Sequence, residues 1–95
     1  MLMEKYASLK GYFNFEGKLD RFPGKRQKKK QRLVLQFLAE KFEFGKKYSE
    51  KEVNEKLNHY HSFNDPATLR RLMFGSRLLG RTLDGKAYWL VANKE

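Results

Sequence analysis

The sequence predicts an α+β fold, a winged helix: a three-helix core closed by a C-terminal β-hairpin wing, with a short N-terminal extended arm or hairpin. Three observations lead there. Apolar residues recur at helical spacing in three separate stretches. Residues 64–89, NDPATLRRLMFGSRLLGRTLDGKAYW, run from a capped helix into two apolar runs around Asp84-Gly85, the strongest short-range hairpin signal. A helix followed at once by such a hairpin is the second half of a winged helix. Residues 1–24 are expected to form an arm packing on the core, and residues 25–95 the winged-helix domain itself.

In residues 1–21, Leu9, Phe13, Phe15 and Leu19 are apolar and Glu16-Gly17-Lys18 has the composition of a turn. They predict a small hairpin or arm whose aromatics pack onto the main body. Phe22-Pro23-Gly24 then punctuates the chain. The first core helix is predicted over residues 27–42, with Leu33, Val34, Phe37, Leu38 and Phe42 on one face. Gly45 suits a helix stop, and Lys47-Tyr48 suits a brief strand. Ser49 and Glu52 have the spacing of a capping box, and Tyr48 is placed to staple against Val53. The helix they start is predicted over residues 50–60, burying Val53, Leu57 and Tyr60. The segment His59-Tyr60-His61-Ser62-Phe63 reads as an exposed linker.

Asp65 is a good N-cap, and Pro66 occupies the first helical position, where proline is tolerated. The third helix then stops near Gly75. Leu69, Leu72 and Met73 fall within the arc that faces the core, Arg71 points the opposite way, and Arg70 lies on the flank. Beyond it, a two-residue Asp84-Gly85 turn sets Leu83 opposite Lys86. Arg81 then faces Tyr88, and Gly80 faces Trp89, whose ring can cover the gap that glycine leaves. Ala92 to Glu95 reads as a frayed tail.

Composition narrows the function. Ninety-five residues with 40% hydrophobic content support one modest core. The absence of cysteine excludes disulfides and thiolate metal sites and suits a reducing cytosol. No apolar run approaches a membrane span, and the start MLMEKYASLK lacks a signal-peptide core. A cytoplasmic protein with no membrane partner is therefore expected. The formal net charge is +10, and its placement matters more than its total. Arg21 to Arg32 carries seven bases and no acid; Arg70 to Lys86 carries five bases against Asp84 alone. These two segments hold the whole excess, and that focusing points to a polyanion-facing surface.

The candidate site follows from those segments. On the third helix Arg71, with Arg70 and Thr68, would face a DNA major groove, where an arginine reads guanine edges. Arg70 is equally a candidate for pairing with Glu52, Glu55 or Asp65, and Thr68 for helix capping. Arg81 and Lys86 bracket the wing tip and suit phosphate or minor-groove contacts; Arg81 can also stack on Tyr88. Lys25, Arg26, Lys28, Lys29 and Lys30 crowd a helix N-terminus, where the macrodipole already favours acids. Binding a backbone phosphate there would relieve the conflict. His59 and His61 have too few companions for a metal site. Phe37, Phe42, Phe44, Tyr48 and Trp89 occupy core-like positions. With no phosphate loop and no nucleophile–base set, neither an enzyme nor a cofactor is expected.

Three partner classes remain: double-stranded DNA first, an acidic protein docking on the winged helix second, and RNA third. A chain of this size covers about one half-site, which admits a homodimer on DNA.

Tyr48 to Leu57 (YSEKEVNEKL), Asp65 to Leu72 (DPATLRRL) and Leu78 to Trp89 (LLGRTLDGKAYW) resemble a bacterial family called domain of unknown function 2087. The basic stretch FPGKRQKKKQRLVLQFLAEKF fits the same pattern. The resemblance covers about residues 12–91. Members occur alone or joined to helix-turn-helix regulators, which implies a transcription-linked role; the family carries no established activity.

Overall fold

Apolar spacing and capping residues set the elements of the computed structural model, which describes residues 4–91. A 3₁₀ helix, Glu4–Tyr12, is followed by α1 (Lys28–Ala39), β1 (Lys47–Tyr48), α2 (Glu50–Asn58), α3 (Pro66–Gly75), β2 (Leu79–Arg81) and β3 (Tyr88–Leu90). The fold is α+β, with these helices packed beside an antiparallel sheet of order β1-β3-β2. The tail expected at Ala92 to Glu95 lies outside the described residues.

The N-terminal segment is helical where an extended arm was expected. A 3₁₀ helix repeats every three residues, so Tyr6, Leu9 and Tyr12 fall on one side. Tyr6 and Leu9 are buried, and Tyr12 packs against the core. Tyr6 meets Phe37 of α1 edge-on at 5.5 Å, and its hydroxyl donates to Glu40 Oε2 at 2.7 Å. Burial pushes the Tyr6 phenol well above its usual range, and the Glu40 carboxylate adds to the shift. The expected turn does form after this helix. Phe13 bridges Leu19, Gly17 takes φ 82, and the Asn14 side chain accepts from the Glu16 and Lys18 N–H groups. Phe13 packs on Phe37 at 5.0 Å, whereas Phe15, expected to pack as well, stands wholly in solvent. Leu19 is tied to the α2–α3 connection: its N–H donates to the Tyr60 carbonyl, and the Ser62 N–H donates to its own.

Helix α1 buries Val34, Leu35, Leu38 and Ala39. It ends three residues earlier than expected because its last bonds tighten, Lys41 donating to Leu38 and Phe42 to Ala39. Phe42 is buried beyond the helix end, edge-on to Tyr48. At α2 both halves of the capping box form, Glu52 N–H to Ser49 Oγ and Ser49 N–H to Glu52 Oε1, worth about 1 kcal/mol. The expected linker after α2 is not exposed at His61. That ring is buried: Nδ1 lies 2.8 Å from the Leu57 carbonyl, and Nε2 accepts the Asp65 N–H at 2.8 Å. Its two nitrogens thus join the end of α2 to the start of α3.

In α3 the buried stripe is Leu69, Arg70 and Met73, while Leu72 is 39% exposed. The helix packs mainly on α2, which turns the Leu69–Arg70 edge inward and Leu72 out of the expected core arc. Its C-terminus closes by a Schellman pair: Leu78 N–H donates to the Met73 carbonyl and Arg77 N–H to the Phe74 carbonyl. Arg77 fills the left-handed position, φ 66, that glycine usually takes.

The hairpin register agrees with expectation, Gly80 opposite Trp89 and Arg81 opposite Tyr88. A Cβ on Gly80 would lie 2.6 Å from Trp89 Nε1, so the indole takes this position only over a glycine. The tip differs. Gly85 N–H donates to the Thr82 carbonyl and Thr82 N–H to the Ala87 carbonyl, which centres the turn on Leu83-Asp84 within a longer loop. A two-residue type I′ turn needs positive φ at both central residues, and of Asp84 and Gly85 only Gly85 has it. Thr82 Oγ1 donates to Asp84 Oδ1 and accepts from the Lys86 and Ala87 N–H groups. These bonds stabilise the longer loop, and Asp84 is held below the usual carboxylate range chiefly by the Thr82 hydroxyl.

A left-handed non-glycine residue costs roughly 1–2 kcal/mol. Arg77→Gly is expected to raise unfolding free energy by about 0.5–1 kcal/mol once the greater chain entropy of glycine is subtracted. Denaturant titration reads this directly, and an unchanged or lowered midpoint would contradict the strain at Arg77.

Candidate nucleic-acid interface

Helix α3 and the β2–β3 hairpin meet along a concave cleft of about 280 Å³ lined by Arg70, Arg71, Phe74, Arg81 and Tyr88. The sheet register sets Arg81 and Tyr88 side by side on the face that looks at α3. The helix supplies the other wall. Three guanidinium groups thus share one concavity, and they differ in what holds them.

Arg70 is only 8% exposed. Its Nη1 donates to Asn54 Oδ1 of α2, Nη2 lies 3.7 Å from Glu50 Oε2, and the guanidinium sits 5.9 Å above the Tyr88 ring. Those ties hold it in the α2–α3 seam, with its guanidinium engaged inside the chain; Glu50, rather than Glu52, Glu55 or Asp65, is its acid. Arg81 stacks on Phe74 at 4.6 Å, in place of the expected Tyr88, and donates to the Thr82 and Leu83 carbonyls. Its position is therefore fixed although it is exposed. Arg71 is exposed and points away from the core.

Thr68 is half-buried and serves the cap of α3. Its N–H donates to Asp65 Oδ1 at 3.2 Å. The hydroxyl and N–H of Thr68 hold the Asp65 carboxyl below its usual range, with a smaller push from Arg71. Lys86 is exposed on the hairpin loop, its N–H engaged by Thr82 and Asp84.

A match to the family model for an uncharacterized protein conserved in bacteria (DUF2087) covers residues 18–90. The chain belongs to this family. No curated protein and no solved structure matches it. The DUF2087 match spans α1 through β3 and therefore the whole cleft, and it begins after the 3₁₀ helix.

The other basic segment of this DUF2087 chain forms a separate group. Lys25, Arg26, Lys28 and Lys29 are exposed around the start of α1. Lys30 and Arg21 both lie over the Tyr12 ring, at 5.5 Å and 4.7 Å. Gln27 provides no side-chain cap, and the first turn of α1 holds no acid. Gln31 instead ties back to the Pro23 and Gly24 carbonyls. Among the described residues no hydrogen bond, ion pair or ring contact joins this group to the cleft.

Two features of the site escaped sequence reasoning. Asn54 anchors Arg70 from sixteen residues away, a separation beyond helical periodicity. The i, i+1 placement of Leu69 and Arg70 on one buried edge could only be read with the α2 seam in place.

These roles separate under substitution. Arg70→Ala removes a buried hydrogen bond, an ion pair and packing, and is expected to cost about 1–3 kcal/mol of stability. Arg71→Ala should stay within about 0.5 kcal/mol of wild type; equal losses in thermal melts would refute the distinction. Asp65 adds a pH dependence of known sign. Its folded pKa is lowered, so its contribution is complete above the unfolded carboxylate value and is lost as pH falls through the folded one. Asp65→Ser keeps an acceptor at the cap without a titrating group. Its melting temperature should therefore fall less steeply than wild type below about pH 4; parallel acid limbs would contradict this.

Proposed function

We propose that this protein is a winged-helix domain that binds double-stranded DNA and acts in the bacterial cytoplasm as a transcriptional regulator or accessory module. In this reading α3 enters the major groove and the β2–β3 hairpin is the wing. Arg71 reaches base edges, Arg81 and Lys86 hold phosphate, and Lys25, Arg26, Lys28, Lys29 and Lys30 contact adjacent backbone. Arg70 and Thr68 act through position, the first holding α3 on α2 and the second capping it.

The observation that carries the proposal is the cleft where α3 meets the hairpin. Its lining brings three arginines together and holds no acid, Arg70 pairing with Glu50 from outside that lining. Arg81 is stacked and hydrogen-bonded before any ligand arrives. A preplaced cation loses little side-chain freedom on binding. Among the described residues no helix is long and apolar enough to cross a membrane.

A second reading has its own support. Leu72 and Phe74 are each 39% exposed, and Leu83 at the hairpin tip is fully exposed. These apolar groups flank Arg71 and Arg81, a mixture that also suits an acidic amphipathic partner protein.

Fluorescence anisotropy with a labelled random duplex at several salt concentrations tests the first reading. Wild-type protein should bind with a steep salt dependence, about 0.9 in log–log slope per phosphate neutralised. The Lys28/Lys29/Lys30→Ala variant should flatten that slope, and Arg71→Ala should weaken binding with its fold intact. No binding at low salt, or full affinity and sequence preference in the Arg71 variant, would sink the assignment. If a partner protein were the ligand, unrelated duplex would fail to displace it.

A further inference from the structure

The hairpin has a second face. Side chains alternate along a strand, so while Arg81 and Tyr88 turn toward α3, Gly80, Trp89 and Lys47 share the opposite side of the sheet. The indole of Trp89 lies against Gly80, close enough that a Cβ there would sit 2.6 Å from Nε1. Glycine at 80 leaves room for the ring, which is half-buried. Beside it is an open depression of about 430 Å³, lined chiefly by Phe44, Lys46, Lys47, Thr82 and Trp89. Phe44, expected in the core, is 65% exposed. The lining includes Lys46 and Lys47 and no acid, and the Lys46 ammonium lies 5.1 Å over the Tyr48 ring.

An exposed phenyl group and a half-buried indole flanking a lysine-lined hollow offer two things at once: a planar apolar surface and charge for an oxyanion. Single nucleotides combine a π-face with a phosphate, and aromatic side chains stack on any base while lysines take the phosphate. We propose that this face of the sheet binds one nucleobase with its attached phosphate, the base stacking on Trp89 beside Phe44 and the phosphate meeting Lys46 and Lys47. The nucleotide is either free or an unpaired residue of a nucleic-acid strand. This site is separate from the α3 cleft, and neither depends on the other.

Trp89 is the single tryptophan of the chain, so its emission reports on the site alone. Titration uses adenosine monophosphate, adenosine and a short oligodeoxyadenylate against wild type and against Lys46→Ala/Lys47→Ala, both at exposed positions, with the melting temperature of the variant checking that its fold is retained. Saturable quenching by the monophosphate is expected, weakened about tenfold for adenosine and about tenfold in the double variant. Tighter binding of the oligonucleotide than of the monophosphate supports a strand as the source, and the reverse supports a free nucleotide. The proposal is overturned by absence of saturable quenching with both phosphate-bearing probes, by adenosine binding as tightly as its monophosphate, or by a double variant that binds like wild type. Duplex binding through Arg71, measured on the same double variant, stands or falls independently.

Discussion

A buried guanidinium fixes the angle at which this protein presents its basic surface. Arg70 lies where α2, α3 and β3 meet, donating to Asn54, pairing with Glu50 and resting over Tyr88. Leucine could fill that volume, but it could not specify the rotation of α3 about its own axis. Directional bonds from Arg70 do. Once residue 70 faces α2, the 100° step of the helix sends Arg71 outward. Burying a charge is costly unless it is paired and hydrogen-bonded. Here the partner Glu50 remains half in solvent, 54% exposed, which limits the desolvation on its side. The bond to Asn54 satisfies part of the guanidinium on the other. Arg81, the stacked Phe74 and the hairpin then close on a wall whose orientation is already determined.

The distribution of charge is the complement of that scaffold. Helix α2 carries acids in its first turn and Lys56 in its last, the arrangement the macrodipole favours. Helix α1 does the reverse, with lysines at its start, no acid in the first turn and no side-chain cap. Local stability accounts for the first helix and is opposed by the second. Part of the tension is eased within the chain, since Lys30 and Arg21 spread over the Tyr12 ring and Gln31 straps the incoming segment by two carbonyls. Lys25, Arg26, Lys28 and Lys29 stay in solvent, where anions can reach them.

Much of this was legible from the residues, because the deciding forces were local. The Ser49 capping box, the Asp65-Pro66 start of α3 and the pairing of Gly80 with Trp89 each follow from two or three neighbouring side chains. The α+β class and the antiparallel hairpin followed with them. Harder to read were features set by distant contacts. Arg70 is buried because Asn54 and Glu50 wait across a seam, and Leu72 is exposed for the same reason. His61 is buried because Leu57 and Asp65 offer it two bonds, neither of which leaves a mark in hydropathy. The N-terminal helix has a three-residue rhythm, Tyr6, Leu9 and Tyr12, that neither helical nor strand periodicity detects. At the hairpin tip, Thr82 and Asp84 form side-chain bonds that outweigh the tendency of Asp-Gly toward a tighter turn.

The junction between α3 and β2 links these two kinds of information. The Schellman bonds reverse the chain within three residues, and Arg77 accepts a left-handed backbone to make this possible. The reversal brings β2 back across α3, so Arg81 can stack on Phe74 and Tyr88 can cover Arg70. Strand alternation then has a necessary consequence. If residues 81 and 88 face the helix, residues 80 and 89 must face away, and the same hairpin that completes the arginine cleft presents Trp89 on its outer side. Glycine at 80 lets the indole lie flat instead of standing off the sheet. One short hairpin therefore carries a cationic wall on one face and an aromatic platform on the other, and the direction of both is set by the turn at Arg77.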